Sequence, residues 1–514
     1  MVLAAAAGLL VAIGALAVEA KAHATASQTP VGSAPRARGA TTQSALPVTV
    51  SVDARDPGRP VARRFLGLSF EAVALGQLSR YAKRGDLVGL MRSLGPGLLR
   101  FGGVTADENV AWIDRVTPRP AWASSAIDAA QLHAIGVLAR RSGWDVLLTV
   151  GLAHFEPVAA AREVAAAHRA LGPHLAAVEI GNEPNAYGSH GFRGLPWIAQ
   201  GYEEEVSSYR EAITALTPGV RIAGPDVSGS GVFPEWGAEE ALSQKPALLT
   251  GHHYPLGCAQ PRAPSIEALL SAAVRANEAR SLATYLSVSH AYRIPLRIDE
   301  TNSVSCGGAP GISDTFASAL WATSYITQAM AAGAAGINLE GNPTNCVGYT
   351  PLCARDPAAL ASGRLYAEPD WYALLLTRSL VGERPLRTTI LAEGSPDLTA
   401  AAFAGSGGSR RVVLVNDEPA GTGPLALRLD VGGHNGVARI LHLTAPSQSA
   451  TGGVLLGGRA VAPDGSWSEP AKLPLAPNRH GVVTFDIAPG SAALVIVSPP
   501  DHRRGPSPAR AAWR

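Results

Sequence analysis

Two patterns of apolar and polar residues divide the chain. Through its first two-thirds, short apolar runs alternate with longer Ala-rich stretches. The runs are Phe65–Glu71, Gly97–Gly103, Asp145–Leu152, Ala177–Asn182, Arg221–Pro225, Leu248–Tyr254, Leu296–Glu300 and Ala335–Glu340. Between them, segments such as Ala159–Leu171 and Tyr202–Leu216 carry apolar residues at helical spacing. Eight strand–helix units over about 320 residues predict a (β/α)8 TIM barrel, an α/β fold. The structural alternative is an open doubly wound sheet. It would want a Gly-rich phosphate loop after the first strand, and Gly67-Leu68-Ser69-Phe70-Glu71 is not one.

From about Arg387 the helical spacing disappears. Val412-Val413-Leu414-Val415, Leu425–Leu429, Ala438–Leu443 and Ala492–Val497 read as short strands. Turns such as Gly432-Gly433-His434-Asn435-Gly436 separate them. This predicts a C-terminal all-β sandwich domain. The early run Val48–Val52 precedes the barrel and is expected to join that sheet. The expected division is a leader at 1–26, a linker at 27–46 and an N-terminal strand at 47–60. The barrel follows at 61–386, the sandwich at 387–499 and a tail at 500–514.

The leader reading rests on Met1–Val18, an apolar run that ends at the first charged residue, Glu19. Small residues at Ala22-His23-Ala24 and Ala24-Thr25-Ala26 suit signal peptidase. No Lys or Arg precedes the run, so an uncleaved anchor is the alternative to export. Export predicts a secreted, extracellular protein with no membrane partner beyond that leader. The composition is 46% hydrophobic and 16% charged with a net charge of +2, which is globular rather than disordered. The basic residues are scattered, which excludes a nucleic-acid binder. An even count of four cysteines in an exported chain suggests disulfides. Cys258 and Cys306 follow adjacent strands six and seven, and Cys346 and Cys353 close a short loop after strand eight. Those are the expected pairs, with four buried thiols as the alternative. No CxxC pair or His cluster offers a metal site.

Two glutamates carry the candidate chemistry. Val178-Glu179-Ile180-Gly181-Asn182-Glu183-Pro184-Asn185 ends the fourth strand, where barrel groups face the active site. Alternation sends Glu179 and Glu183 to one side, with Glu183 at the rim. Asn182 can hydrogen-bond a sugar 2-hydroxyl. Leu296-Arg297-Ile298-Asp299-Glu300-Thr301-Asn302-Ser303 ends the seventh strand, across the barrel. Two carboxylates so placed can flank one glycosidic bond, with Glu183 as acid/base and Glu300 as nucleophile. Asp299 is an alternative nucleophile, but alternation turns it away from the side Glu300 faces. Gly251-His252-His253-Tyr254-Pro255 ends the sixth strand. Tyr254 can hold Glu300 in place, while the two histidines are either site groups or a satisfied core network.

These segments occur in a telling order. Leu99-Arg100-Phe101-Gly102-Gly103, Gly181-Asn182-Glu183-Pro184-Asn185, His252-His253-Tyr254 and Asp299-Glu300-Thr301-Asn302-Ser303 together resemble glycoside hydrolase family 79, the β-glucuronidases and heparanase-like enzymes. Val413-Leu414-Val415-Asn416-Asp417, Gly457-Gly458 and Asp464-Gly465-Ser466-Trp467 extend the resemblance, which spans roughly Val48 to Ser498. It implies retention of anomeric configuration, no cofactor and a glucuronic-acid-containing glycan as substrate. It implies Asp107 and Glu71 as partners for sugar hydroxyls. It also implies the Gly348 backbone N–H and Tyr349 as the pair that binds the uronate carboxylate. The chain departs from the pattern after the nucleophile, where some members carry a second tyrosine. Here the loop reads Ser303-Val304-Ser305-Cys306-Gly307-Gly308, which leaves a neutral pyranose open. The loop Gly341–Ala354 holds no Lys or Arg, so an exo-acting β-glucuronidase is preferred over an endo-acting one. Another glycosidase of the same clan, of β-glucosidase or arabinofuranosidase type, and a non-catalytic carbohydrate-binding protein are the competing readings.

Overall fold

The apolar runs form a closed ring of parallel strands. In the computed structural model these are β1 (Leu66–Glu71), β2 (Leu98–Gly102), β3 (Asp145–Val150), β4 (Leu175–Ile180), β5 (Ala223–Ser228), β6 (Leu248–His253), β7 (Leu296–Thr301) and β8 (Gly336–Gly341). Each pairs in parallel with its sequence neighbours, and β8 pairs with β1. A parallel bridge between Val178 and Ile222 closes the ring between β4 and β5. The structure describes residues 45–258, 263–433, 436–471, 473 and 475–499. The leader, nearly all of the linker and the tail fall outside the described residues.

One main helix follows each strand: α1 (Leu87–Leu94), α2 (Ala129–Ser142), α3 (Pro157–Leu171), α4 (Ala199–Leu216), α5 (Phe233–Ser243), α6 (Ala272–Tyr292), α7 (Phe316–Ala332) and α8 (Pro369–Thr377). Local sequence sets their ends. Asp128 and Gln131 make a reciprocal capping box at the start of α2, and Gly143 ends it in the left-handed conformation. Ser271 caps α6 by accepting from the Val274 N–H. No helix among the described residues is long and apolar enough to cross a membrane.

The fold is a TIM barrel with a C-terminal β-sandwich. The sandwich sheet includes Leu46–Asp53, which runs antiparallel to Arg384–Ala392 and parallel to Leu425–Asp430. Ser491–Ser498 pairs with both Arg410–Asn416 and Gly436–Thr444. Period-two alternation gives these strands two jobs. Val412, Leu414, Ala493, Val495 and Val497 fill the sandwich's own core. Val413, Val415, Ala492, Leu494 and Ile496 belong to the core shared with the barrel.

Helix α7 is the join. Its N-terminal N–H groups at Phe316 and Ala317 donate to Ala450 and Gln448 carbonyls of the C-terminal part. On the adjacent α6, Arg275 bonds Asp417 at 2.9 Å and also pairs with Asp397. Glu278 accepts from the Trp321 indole at 2.6 Å, and burial pushes its pKa up to about 8. A carboxyl raised in the folded state binds its proton more tightly there than in the unfolded chain. Its contribution to stability is therefore full below the ordinary carboxyl pKa and is lost as pH rises towards 8. Replacing Glu278 with Gln keeps the acceptor for Trp321 and removes the titration. Chemical denaturation of wild-type and Glu278→Gln protein across pH 5–8 should show the variant losing less stability, by about 1.4 kcal/mol per pH unit. Parallel curves would contradict the assignment.

Candidate active site

The site grows from one buried cation at the end of β2. Arg100 is fully buried, and all five of its N–H groups have partners. Nε donates to Glu179 at 2.9 Å and lies 3.0 Å from Asp299. Nη1 bonds Ser69 at 3.1 Å and Glu300 at 2.8 Å. Nη2 bonds Asn182 at 2.9 Å and Asp226 at 2.8 Å. The guanidinium thus ties together residues from β1, β4, β5 and β7. Such a fork can hold several carboxylates at fixed angles, which a lysine cannot.

His252, at the end of β6, is the second cation. Its Nδ1 lies 2.9 Å from Glu183, and its Nε2 lies 2.8 Å from Asp226. With a carboxyl oxygen on each nitrogen, the ring is held as a double donor. Burial alone would discharge it, but Glu300 and Asp226 raise its pKa well above the ordinary histidine range.

Glu183 and Glu300 stand on either side of this imidazole. One oxygen of each, with a His252 nitrogen, lies within a 4.8 Å cluster. A cation could be placed among these three groups only by displacing a proton from His252. Glu300 is held as an anion. Burial pushes its pKa up, but His252, Arg100 and the Tyr254 hydroxyl more than offset it, and the pKa ends below the usual carboxylate range. The Tyr254 donation is 2.9 Å long. Glu183 is more open, with a side chain 28% exposed.

Backbone geometry at the strand ends places both acids. Glu183 takes φ +47° and Asp226 φ +59°, left-handed conformations that cost energy for residues with side chains. The Glu183 N–H donates to the Asp226 carbonyl at 2.9 Å, which locks the pair. Gly181 precedes at φ +80°, and a Cβ there would meet the Tyr187 hydroxyl at 2.6 Å.

Strand β7 corrects the alternation argument. Its pairing with β6 shifts register between Ile298 and Glu300, a bulge. Asp299 and Glu300 consequently both reach Arg100, instead of facing opposite sides. Asp299 is nonetheless sealed from the pocket, with no exposure at all. Burial, Glu179 and Asp226 raise its pKa well above the normal range, which disfavours the ionised form a nucleophile needs.

Asp107 is a second correction. It does not face the pocket as a partner for sugar hydroxyls. Oδ1 accepts from the Leu152 and Ala153 N–H groups at 2.7 and 3.1 Å. Oδ2 accepts from the Asn182 N–H at 2.9 Å and the Tyr187 hydroxyl at 2.6 Å. These bonds use the carboxylate up in joining the loops after β3 and β4. Asn182 itself is positioned by this bond and by Arg100, and its Nδ2 makes no hydrogen bond to any described residue.

Glu71 is half-buried beside Glu300. Its Oε2 accepts from the Thr105 N–H and hydroxyl at 2.9 and 2.6 Å, and burial raises its pKa. The histidine pair divides. His252 is in the site, whereas His253 packs on Tyr325 in the wall, and burial lowers its pKa to about 4.

Tyr349 reaches the site from the loop after β8. Its hydroxyl lies 3.3 Å from that of Tyr254 and accepts from the Gly307 N–H at 3.2 Å. The two tyrosine rings stack 5.9 Å apart. Gly348 packs against the loop after β7 at φ +87°, and a Cβ would meet the Gly307 carbonyl at 2.1 Å. Disulfides brace both loops, Cys258–Cys306 between those after β6 and β7, and Cys346–Cys353 within that after β8.

Three site residues escaped sequence reasoning: Arg100 as the hub, Asp226 and Glu340. The fifth run was read as ending at Pro225, one residue short of Asp226. Glu340 ends β8, buried, and burial with Glu300 and Glu71 nearby raises its pKa well above the normal range. An acid at the end of a barrel strand was the available signal in both cases.

Comparison with known proteins follows this geometry. No protein-family model and no curated protein sequence matches the chain. Solved structures do. A 4-O-α-L-rhamnosyl-β-D-glucuronidase from Fusarium oxysporum 12S superposes with a TM-score of 0.71 at 18% identity, covering 87% of this chain and 99% of that one. A family GH51 arabinofuranosidase from Xanthomonas axonopodis pv. citri gives 0.65 at 14%, covering 88% and 100%. An α-L-arabinofuranosidase from Thermotoga maritima gives 0.64 at 14%, covering 88% and 99%. At these identities the likeness is one of fold: the chain has the barrel-plus-sandwich architecture of these glycoside hydrolases over nearly their full length.

Proposed function

We propose that the chain is a secreted retaining β-glycoside hydrolase, with an exo-acting β-glucuronidase as the specific reading. The observation that carries it is the pair Glu183 and Glu300, with oxygens within 4.8 Å on opposite strands and Glu300 held as an anion. Retaining enzymes place their two carboxyl groups about 5–5.5 Å apart, whereas inverting enzymes need room for a water between them.

The steps follow from the contacts. Glu300 attacks the anomeric carbon from one face while Glu183 gives its proton to the departing oxygen. The ester on Glu300 removes one negative charge, and His252 then faces Glu183 as the new carboxylate. The same Glu183 takes a proton from water, which attacks the ester and frees Glu300. Asn182 Nδ2 is aimed to hold the 2-hydroxyl, and Glu71 binds another hydroxyl. Two disulfides suit an oxidising compartment, which supports the secreted reading.

Tyr349 and the Gly348 N–H would bind the C6 carboxylate. A specific observation favours the second reading, a neutral sugar: Glu71 and Glu340 also stand beside Glu300, and Arg100 has no donor left for a uronate. A panel of aryl β-glycosides decides between them. The uronate reading requires that the glucuronide be cleaved at least ten-fold faster than the glucoside or arabinofuranoside, and the reverse order would establish the neutral sugar.

Two mutational outcomes test the mechanism. Glu300→Gln should lose nearly all turnover on every substrate. Glu183→Gln should keep glycosylation by activated aryl leaving groups, lose deglycosylation, and yield a β-glycosyl azide when azide is supplied. Wild-type rates from Glu300→Gln would remove the assignment.

Tyr349→Phe removes one hydrogen bond to a charged group, worth about 1.5–3 kcal/mol. It should lower kcat/KM on a glucuronide by roughly ten- to a hundred-fold, with much less effect on the matching glucoside. Equal losses on both would show that Tyr349 does not read the acid.

A further inference from the structure

Beyond the catalytic pocket, three aromatic rings converge from separate loops at the same end of the barrel as Glu183. Trp122 lies between β2 and α2, His154 between β3 and α3, and Phe192 between β4 and α4. The Trp122 and His154 rings stack 3.9 Å apart at 11°, and Phe192 meets His154 edge-on at 6.5 Å. His154 is exposed, and Trp122 and Phe192 are half-buried.

The cluster is fixed to the backbone around Glu183. Phe192 packs on Tyr187 at 5.4 Å, and Tyr187 stacks on Trp197 at 6.3 Å. The Trp197 indole donates to the Pro184 carbonyl at 2.7 Å, one residue beyond Glu183. Tyr187 donates to Asp107, which holds the Asn182 N–H.

Polar groups flank the rings. Trp122 and His154 line a narrow cavity together with Trp112, Glu156 and Glu163. Glu156 takes the Trp122 indole N–H at 3.4 Å on one oxygen and offers the other. Glu163 is 7% exposed, and no described residue hydrogen-bonds to it. Its pKa is pushed up to about 8 by burial, so near neutral pH it can both donate and accept. Flat aromatic surface beside carboxyl oxygens with free acceptor capacity is the chemistry that binds a sugar ring. The axial C–H face stacks on the rings while hydroxyls reach the acids.

We propose that Trp122, His154 and Phe192, with Glu156 and Glu163, form a second sugar subsite for the unit joined to the sugar that is cleaved. This rests on the glycosidase reading above. The second unit is either the leaving-group sugar or one attached to the non-reducing side of the cleaved sugar. Both present the same pyranose chemistry, and the experiment separates them.

Three substrates are compared. β-Glucuronyl fluoride has no second ring, β-glucuronyl-1,4-glucose has one on the leaving side, and 4-O-glucosyl-β-glucuronyl fluoride has one on the other. Trp122→Ala should lose roughly ten-fold or more in kcat/KM, mainly through KM, on one of the two-sugar substrates. It should stay within about two-fold of wild type on the plain fluoride. Whichever two-sugar substrate suffers identifies the side. His154→Ala, which removes an exposed ring, should reproduce the pattern and guards against misfolding of the tryptophan variant. Equal losses on all three substrates, or none on either two-sugar substrate, would overturn the subsite. Should the wild-type protein cleave none of them, the glucuronidase reading fails. The subsite is then read by calorimetric titration of Glu300→Gln protein with glucuronyl-1,4-glucose and with cellobiose. Heat lost on adding Trp122→Ala to that protein supports the subsite, and heat unchanged or absent in both overturns it.

Discussion

A guanidinium with no access to water dictates much of this barrel's upper half. Arg100 cannot be buried alone, because an unpaired charge in the interior costs several kcal/mol. Its five N–H groups recruit Ser69, Glu179, Asn182, Asp226 and Glu300 from four other places in the chain. Each recruited group is thereby fixed relative to the others. The carboxylates in turn could not be buried without the cation. The network then has too few positive charges, since Arg100 and His252 face Glu179, Asp226, Asp299 and Glu300. Burial and the neighbouring carboxylates Glu179 and Asp226 accordingly raise the pKa of Asp299. Glu300 and Asp226, which contact both cations, keep pKa values below the normal range.

That mutual dependence also explains the irregular backbone. A regular β7 would place Asp299 and Glu300 on opposite faces, and only one could reach Arg100. The bulge brings both inward. Regular ends to β4 and β5 would leave Glu183 and Asp226 too far apart to share His252. The two left-handed residues and the bond between their backbones bring them together. Strain of about 1–3 kcal/mol per left-handed residue is sustained only because several charged contacts over-determine the position.

The parts of the fold that were legible in the sequence are those governed by repetition. Runs such as Leu296–Glu300 and stretches such as Tyr202–Leu216 recur with fixed periods, and burial enforces those periods. The alternating strands of the sandwich were readable for the same reason. Residues placed by departures from periodicity were not readable. Asp299 was assigned to the wrong side because a bulge leaves no mark on a single sequence. The family resemblance implied Asp107 as a ligand for sugar, yet four donors from neighbouring loops consume it. Arg100 stood in a recognisable motif, but a buried arginine and a surface arginine look alike in a string of letters. The two histidines differ in role because they are adjacent on one strand: alternation turns His252 to the barrel axis and His253 to the wall.

The same charge arithmetic constrains what the pocket can accept. Arg100 has spent every donor on protein groups, so an anionic substrate group gains nothing from it directly. Glu71, Glu300 and Glu340 stand together on the β7–β8–β1 side, and burial with mutual repulsion raises Glu71 and Glu340. A second cation placed there to attract a uronate would lower those acids again and compete for Glu300. Neutral donors avoid that conflict. A tyrosine hydroxyl and a backbone N–H can hold a carboxylate without altering the charges that keep Glu300 an anion. The Tyr254–Tyr349 pair couples the two tasks. One hydroxyl donates to Glu300 and lies 3.3 Å from the other. Because Tyr254 gives its one proton to Glu300, Tyr349 is the donor between the two hydroxyls, and any other acceptor that takes the Tyr349 proton takes it from Tyr254.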